Sequence, residues 1–258
     1  MFYDVTDPYK FIQDVKEIMA DDGLWVLQLS YTPLFLQQMA WDNICHEHQK
    51  YYSLFNLKAI LERNGMQVMD CELNNTNAGS FRVYAMKDEA DVTKFGSETH
   101  RDVCEFRVRS LVEYESMLEL DYISTWDKFY ENINFLKAKT VEFIKQKVAE
   151  GKTIYGYGAS TKGSTGLQYF GLDNTLITAI ADRSPYKHGL RTVGGNIPIV
   201  SEDEMRAAKP DYLVVCAWGF ADAFAEREKA LLAAVMTMIE KIARLLCSNR
   251  LRRIWKWL

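Results

Sequence analysis

Apolar residues along this chain recur at two rhythms, one of three to four residues and one of short unbroken runs, and the rhythm changes where turn residues fall. Phe11, Val15, Ile18 and Met19 keep helical spacing behind Asp7-Pro8, a capping carboxylate followed by a proline suited to a first helical turn. That helix is predicted to stop near Asp21-Asp22-Gly23. Leu24-Trp25-Val26-Leu27-Gln28-Leu29 then reads as a largely buried strand, too short an apolar run for a helix and bounded by Gly23 and Pro33. Ser53 caps a second helix with Leu54, Leu57, Ile60 and Leu61 on one side, closed by Asn64-Gly65. Strands over 67–73 and 80–86 follow, and the short polar stretch between them implies an antiparallel pair.

Residues 87–98 are charged and weakly patterned, which marks a boundary. Beyond it the spacing predicts a helix over 100–118 and another capped by Ser124, with Trp126, Phe129, Ile133, Leu136, Phe143 and Val148 along a near-heptad packing stripe. The third segment runs strand (153–155), glycine loop (156–163), helix through Leu167 and Tyr169, strand (176–181) ending in Asp182-Arg183, and strand (212–217) ending in Trp218. Repeated in this way, it is a parallel, doubly wound half-domain whose ligands bind at the carboxyl ends of its strands. From Met236 the chain continues with apolar Ile239, Ile242, Leu245 and Leu246 and basic Arg244, Arg250, Arg252, Arg253 and Lys256, and reads as a basic helical tail. The expected organisation is α/β: a sheet-bearing part over 1–90, a helical connector over 91–150, a Rossmann-like domain over 151–235 and the tail over 236–258.

Composition narrows the partners. The net charge of −4 leaves no global basic field for nucleic acid. Five cysteines, odd in number and without a CxxC, argue against a disulfide framework or structural zinc and fit a reducing cytoplasm. The first ten residues lack the basic and apolar regions of a secretory signal, and no apolar run approaches the ~20 residues of a membrane span. The tail, with Trp255 and Trp257, leaves a lesser reading of membrane-surface binding.

Two stretches carry chemistry. Cys45-His46-Glu47-His48 with Tyr51-Tyr52 places a base, a carboxylate and a phenol close together, as proton abstraction needs. His46 and His48 share a side if the backbone is extended and diverge in a helical turn. As a metal pair they lack a visible third ligand. The loop Gly156-Tyr157-Gly158-Ala159-Ser160-Thr161-Lys162-Gly163 offers a tight turn and a helix N-terminus to an anion. A P-loop is excluded because Ser164 stands where the phosphate lysine belongs. A dinucleotide site stays open: Thr161 replaces only the third glycine, and Asp182 lies about where a ribose-binding acid belongs.

Asp42-Asn43-Ile44-Cys45-His46-Glu47-His48 with Tyr51-Tyr52-Ser53, Gly79-Ser80-Phe81-Arg82-Val83-Tyr84, the glycine loop, Asp182-Arg183-Ser184-Pro185-Tyr186-Lys187 and Ala217-Trp218 together span most of residues 1–230. This set resembles the S-adenosylmethionine-dependent C-methyltransferases that act on nucleotide-linked keto-deoxysugars. The resemblance implies that residues 1–90 are the closing part of a class I methyltransferase (Rossmann-like) sheet, with S-adenosylmethionine as methyl donor and a nucleotide-linked sugar as partner. His48 would be the base that removes the proton alpha to the ketone, supported by Glu47, with His46 and Tyr51 in the same site. Gly156, Tyr157, Gly158, Ser160, Lys162, Gly163, Asp182, Arg183 and Arg82 would bind the sugar nucleotide. Cys45 stands where sugar-methylating members often carry tyrosine, so Tyr51 or Tyr52 would supply the phenol. The chain resembles the family's C-terminal portion, without its zinc module or methyl-donor loop. Two rival readings are a nicotinamide-dependent oxidoreductase using Gly156 and Asp182, and a non-catalytic nucleotide-sugar-binding module.

Overall fold

The computed structural model describes residues 2–76, 79–216, 220–229 and 236–237. The chain divides into two compact units, Met1–Glu131 and Asn132–Leu258.

In the first unit, helix α1 (Pro8–Ile18) starts as its sequence dictates, with the Asp7 side chain accepting from the Lys10 N–H at 3.0 Å and Pro8 in the first turn. Strand β1 (Trp25–Ser30) leads into the short helix α2 (Thr32–Gln37). Helix α3 (Leu54–Arg63) is capped by Ser53 and ends at Gly65, which takes a φ of 71°. Strands β2 (Met66–Asn74) and β3 (Ser80–Lys87) form the expected antiparallel pair, and β1 joins β3 antiparallel on its other side, giving the order β1-β3-β2. Leu27, Leu29, Phe81, Val83 and Ala85 of the sheet pack with Ile12 of α1 and Leu54, Leu57 and Leu61 of α3. Burying each of these leucines contributes roughly 2 kcal/mol.

The β1 run is less buried than its apolar composition predicts. Leu27 and Leu29 enter the core, whereas Leu24, Val26 and Gln28 are exposed. An edge strand whose one face is packed alternates whatever its composition, because successive side chains point to opposite faces.

Two long helices follow, α4 (Glu98–Met117), capped by Ser97, and α5 (Ile123–Ala149). Ser124 does not cap α5 as expected but lies within its first turn. The start is held by side chains reaching back: Thr125 Oγ1 donates to the Glu119 carbonyl and Trp126 Nε1 to that of Leu120.

The second unit carries a parallel sheet in the order β6-β5-β4-β7-β8, built from Ile199–Val200, Ala179–Ala181, Ile154–Tyr157, Tyr212–Val215 and Met236–Thr237. Helices α6 (Thr161–Phe170), α7 (Glu202–Ala208) and α8 (Ala221–Arg227) lie between strands along the chain. The order reverses direction between β4 and β7, the switch point at which open α/β sheets bind ligands. The strand expected over 176–181 is shorter, since Leu176 closes a turn by donating its N–H to the Asp173 carbonyl. The tail expected to be helical from 236 opens with two residues paired to β7; the rest of it, and Ala217-Trp218, lie outside the described residues. Among the described residues no helix is long and apolar enough to cross a membrane.

Candidate functional site

The histidine run is a tight turn. The His48 N–H donates to the Cys45 carbonyl at 3.1 Å, so His46 and Glu47 occupy the turn's tip and the two imidazoles diverge. His46 and Glu47 are largely exposed, with His46 Nε2 4.0 Å from Glu47 Oε1. His48 is half-buried and packs against the Tyr3 ring, centroids 4.3 Å apart. Of the alternatives open from spacing, the turned backbone is the one adopted.

Tyr3 was invisible as a site residue in the sequence, yet it organises this corner. Its carbonyl accepts the N–H groups of both Gln49 and Lys50, at 3.1 and 3.2 Å. Lys50 Nζ reaches back to the carbonyls of Val5 and Thr6, each at 2.9 Å. The segment before α1 and the segment after His48 are thereby laced together.

Tyr3, Ser30, Thr32, Phe35, Asn43, His48, Lys50 and Tyr51 enclose a cavity of about 10 Å³, room for one water-sized group. Burial pushes the Tyr3 phenol up, with Asp4 acting in the same direction. Burial also raises Tyr51, whose hydroxyl donates to the Asn43 carbonyl at 3.3 Å and whose ring stacks on Phe35. Phenols held this way stay protonated near neutrality and act as donors; imidazole is the side-chain type whose proton exchanges in that range. Tyr52 is the other phenol the sequence offered. Its ring is 3% exposed against Phe2, burial takes its hydroxyl up to about 12, and it is not among the cavity walls.

A carboxylate far along the chain sets this geometry. Glu115 of α4, 4% exposed, accepts the Tyr31 hydroxyl at 2.7 Å and the N–H groups of Leu54 and Phe55 at 2.6 and 2.8 Å. It therefore clamps the end of β1 to the start of α3, where the positive end of the helix dipole favours it. Thr32 N–H donating to the Tyr52 carbonyl at 3.0 Å reinforces the same junction. Glu115 shares the buried face of α4 with Cys104 and Val108; it went unseen because its partners, Tyr31 and the start of α3, lie some sixty to eighty positions away in sequence. Arg82 is tied to its cross-strand neighbours, donating to Gln28 Oε1 at 3.1 and 2.9 Å and lying 3.9 Å from Glu72, and it does not line the cavity.

In the second unit the glycines serve different ends. Gly158 takes a φ of 87°, open to glycine at no cost, while donating to the Ala181 carbonyl at 2.8 Å. A Cβ at Gly156 would stand 2.7 Å from Ile180, and one at Gly163 2.8 Å from Cys216, so both permit close packing. Gly163 thus fills the helix-packing role that Thr161 leaves open. Ser160 caps α6 by accepting the Gly163 N–H at 3.0 Å. Tyr157, expected to bind ligand, is 2% exposed and donates its hydroxyl to Glu228 at 2.7 Å, which makes its side chain core. Lys162 is half-buried and Arg183 exposed.

Asp182 is committed internally. One carboxylate oxygen accepts the Ala159 N–H at 2.8 Å and lies 3.2 Å from Lys187 Nζ; the other accepts the Ser184 N–H at 2.8 Å. A ribose-binding acid must be open to two sugar hydroxyls. This one holds the glycine loop shut from beneath, so the nicotinamide reading loses the residue it rests on.

Residues 75–242 match the family profile described as the C-methyltransferase C-terminal domain. This chain belongs to the C-methyltransferase family. A relative, C-methyltransferase NovU of Streptomyces niveus, is 30% identical over 231 residues, which cover 90% of this chain and 53% of the relative. The chain therefore spans about half the length of the curated relative it matches. The profile takes in β3, the two long helices and the glycine-loop unit, while the His48 cavity lies ahead of it. A methyl-donor loop of the class I kind does not fit the residues described in the first unit: β1 enters α2 through Tyr31-Thr32-Pro33, and Gly23, Gly65, Gly79 and Gly96 make no short turn from a strand end into a helix.

Proposed function

We propose that this C-methyltransferase chain prepares the acceptor for methyl transfer from S-adenosylmethionine to the carbon alpha to a ketone of a nucleotide-linked sugar. The observation that carries the reading is His48, one imidazole facing a cavity whose other polar walls are amide, ammonium and hydroxyl groups. His48 takes the alpha proton, the C–H electron pair moves into the carbonyl, and an enolate forms. Glu47, at the exposed tip of the same turn with its carboxylate 4.0 Å from His46 Nε2, adds negative charge to that turn without lining the cavity. Tyr51 supplies a protonated phenol where Cys45 leaves none.

Proton abstraction needs no methyl donor, so it is testable on this chain alone. Incubated in D2O with a nucleotide-linked keto-deoxysugar, the protein is expected to wash deuterium into the alpha position, read by proton NMR. Loss of that exchange in His48→Gln, with the fold intact by circular dichroism, supports the assignment. Exchange at the uncatalysed rate with the wild-type chain refutes it.

A further inference from the structure

Thr32 holds a buried polar group that the fold leaves unused. The residue is 6% exposed, its backbone N–H is fixed to the Tyr52 carbonyl at 3.0 Å, and its side-chain Oγ1 has no hydrogen-bond partner. A hydroxyl stranded in this way costs folding free energy, and valine at the same position would fill the same volume without that cost. Thr32 is also a wall of the small cavity that His48 lines, beside Ser30, which is close to the Tyr3 phenol without a well-formed hydrogen bond. The space amounts to about one oxygen atom with its shell.

From these observations we infer that Thr32 is a substrate-binding residue whose hydroxyl donates a hydrogen bond to the keto oxygen of the acceptor. This deepens the proton-abstraction reading and rests on it. When His48 removes the alpha proton, the electron pair of the broken C–H bond becomes the C=C bond of the enolate and the carbonyl pair moves onto oxygen. A donor fixed by backbone contacts and shielded from water gains most from that new charge. The orphaned hydroxyl is then a cost in the free protein that is recovered on the reacting oxygen.

The test is the D2O exchange assay with Thr32→Val and Thr32→Ser beside the wild type, together with thermal melting of each protein. We expect Thr32→Val to exchange roughly tenfold to a hundredfold more slowly, in line with loss of a hydrogen bond to developing charge, while its Tm stays level or rises. Thr32→Ser should stay within about threefold of wild type, since it keeps the hydroxyl. A Thr32→Val rate less than tenfold below wild type overturns the inference and leaves His48 standing. A rate that falls together with Tm marks Thr32 as structural and also overturns it. A wild-type chain that exchanges nothing removes the His48 reading and this one with it.

Discussion

The segment after β1 and the loop after β4 both follow the carboxyl end of a strand, yet they dispose of their polar groups in opposite ways. In the glycine loop, Ser160 caps its own helix, Asp182 closes on two backbone N–H groups, and Lys187 donates to the Ala159 carbonyl at 2.6 Å, while His188 Nε2 lies 2.8 Å from the Asp182 carbonyl oxygen. The segment after β1 spends its backbone groups on bracing and leaves the Thr32 hydroxyl without a partner. A motif recognisable in sequence is thus no measure of available chemistry. Polar residues that satisfy one another build a scaffold; those left unsatisfied inside a fold are the ones with something to offer a ligand.

The contrast breaks most readily at His48. His48→Gln is expected to slow alpha-proton exchange roughly a hundred- to ten-thousand-fold, the span of a general base, and an unchanged rate would move the chemistry elsewhere. Glu115→Ala strands the Tyr31 hydroxyl and two α3 N–H groups, so urea unfolding should show a loss of about 3 kcal/mol. Exchange falls with it, because the loops framing the cavity lose their clamp. Glu228→Gln probes the scaffold of the other unit. Arg206, bonded to Glu228 at 2.9 and 2.6 Å, and the Tyr157 hydroxyl hold the Glu228 carboxyl below its usual range, burial opposing them. Its contribution is therefore present in full above the unfolded carboxylate range, about pH 4.3, and is lost as pH falls through the lower folded value. The variant should lower stability at neutral pH and flatten the acid limb of the curve, as followed by Tm against pH. Asp182→Asn makes the smallest change, about 1 kcal/mol, because one acceptor oxygen remains. If it weakened nucleotide-sugar binding in calorimetry with no change in Tm, the glycine loop would count as a ligand site rather than a scaffold.

Much of the fold was legible along the chain. Asp7-Pro8, Ser53 and Asn64-Gly65 mark helix ends by chemistry that acts within four residues, and the 67–73 and 80–86 strands pair because their connection is too short for anything else. The readings that shifted were those resting on tertiary context. Ser124 looks like a cap, but the turn before α5 is held by Thr125 and Trp126. Leu24 to Leu29 looks buried, but its place at a sheet edge exposes Val26. At the site, His48 was visible by type and neighbourhood. Tyr3, Thr32 and Glu115 were not, since each is ordinary in its own stretch and acts across a long sequence separation.

By itself the sequence determined the alternation of helices and strands, the two candidate loops and the family to which they belong, because caps, turns and periodicity are local properties of neighbouring residues. Only the tertiary structure decided which of the two segments keeps an unpartnered hydroxyl. Whether Asp182 reaches the Ala159 N–H, whether His48 packs on the Tyr3 ring, and whether the Thr32 hydroxyl is left without a partner all depend on groups brought together by packing. Hydrogen bonds between residues far apart in sequence are a property of three-dimensional neighbours, and no local pattern encodes them.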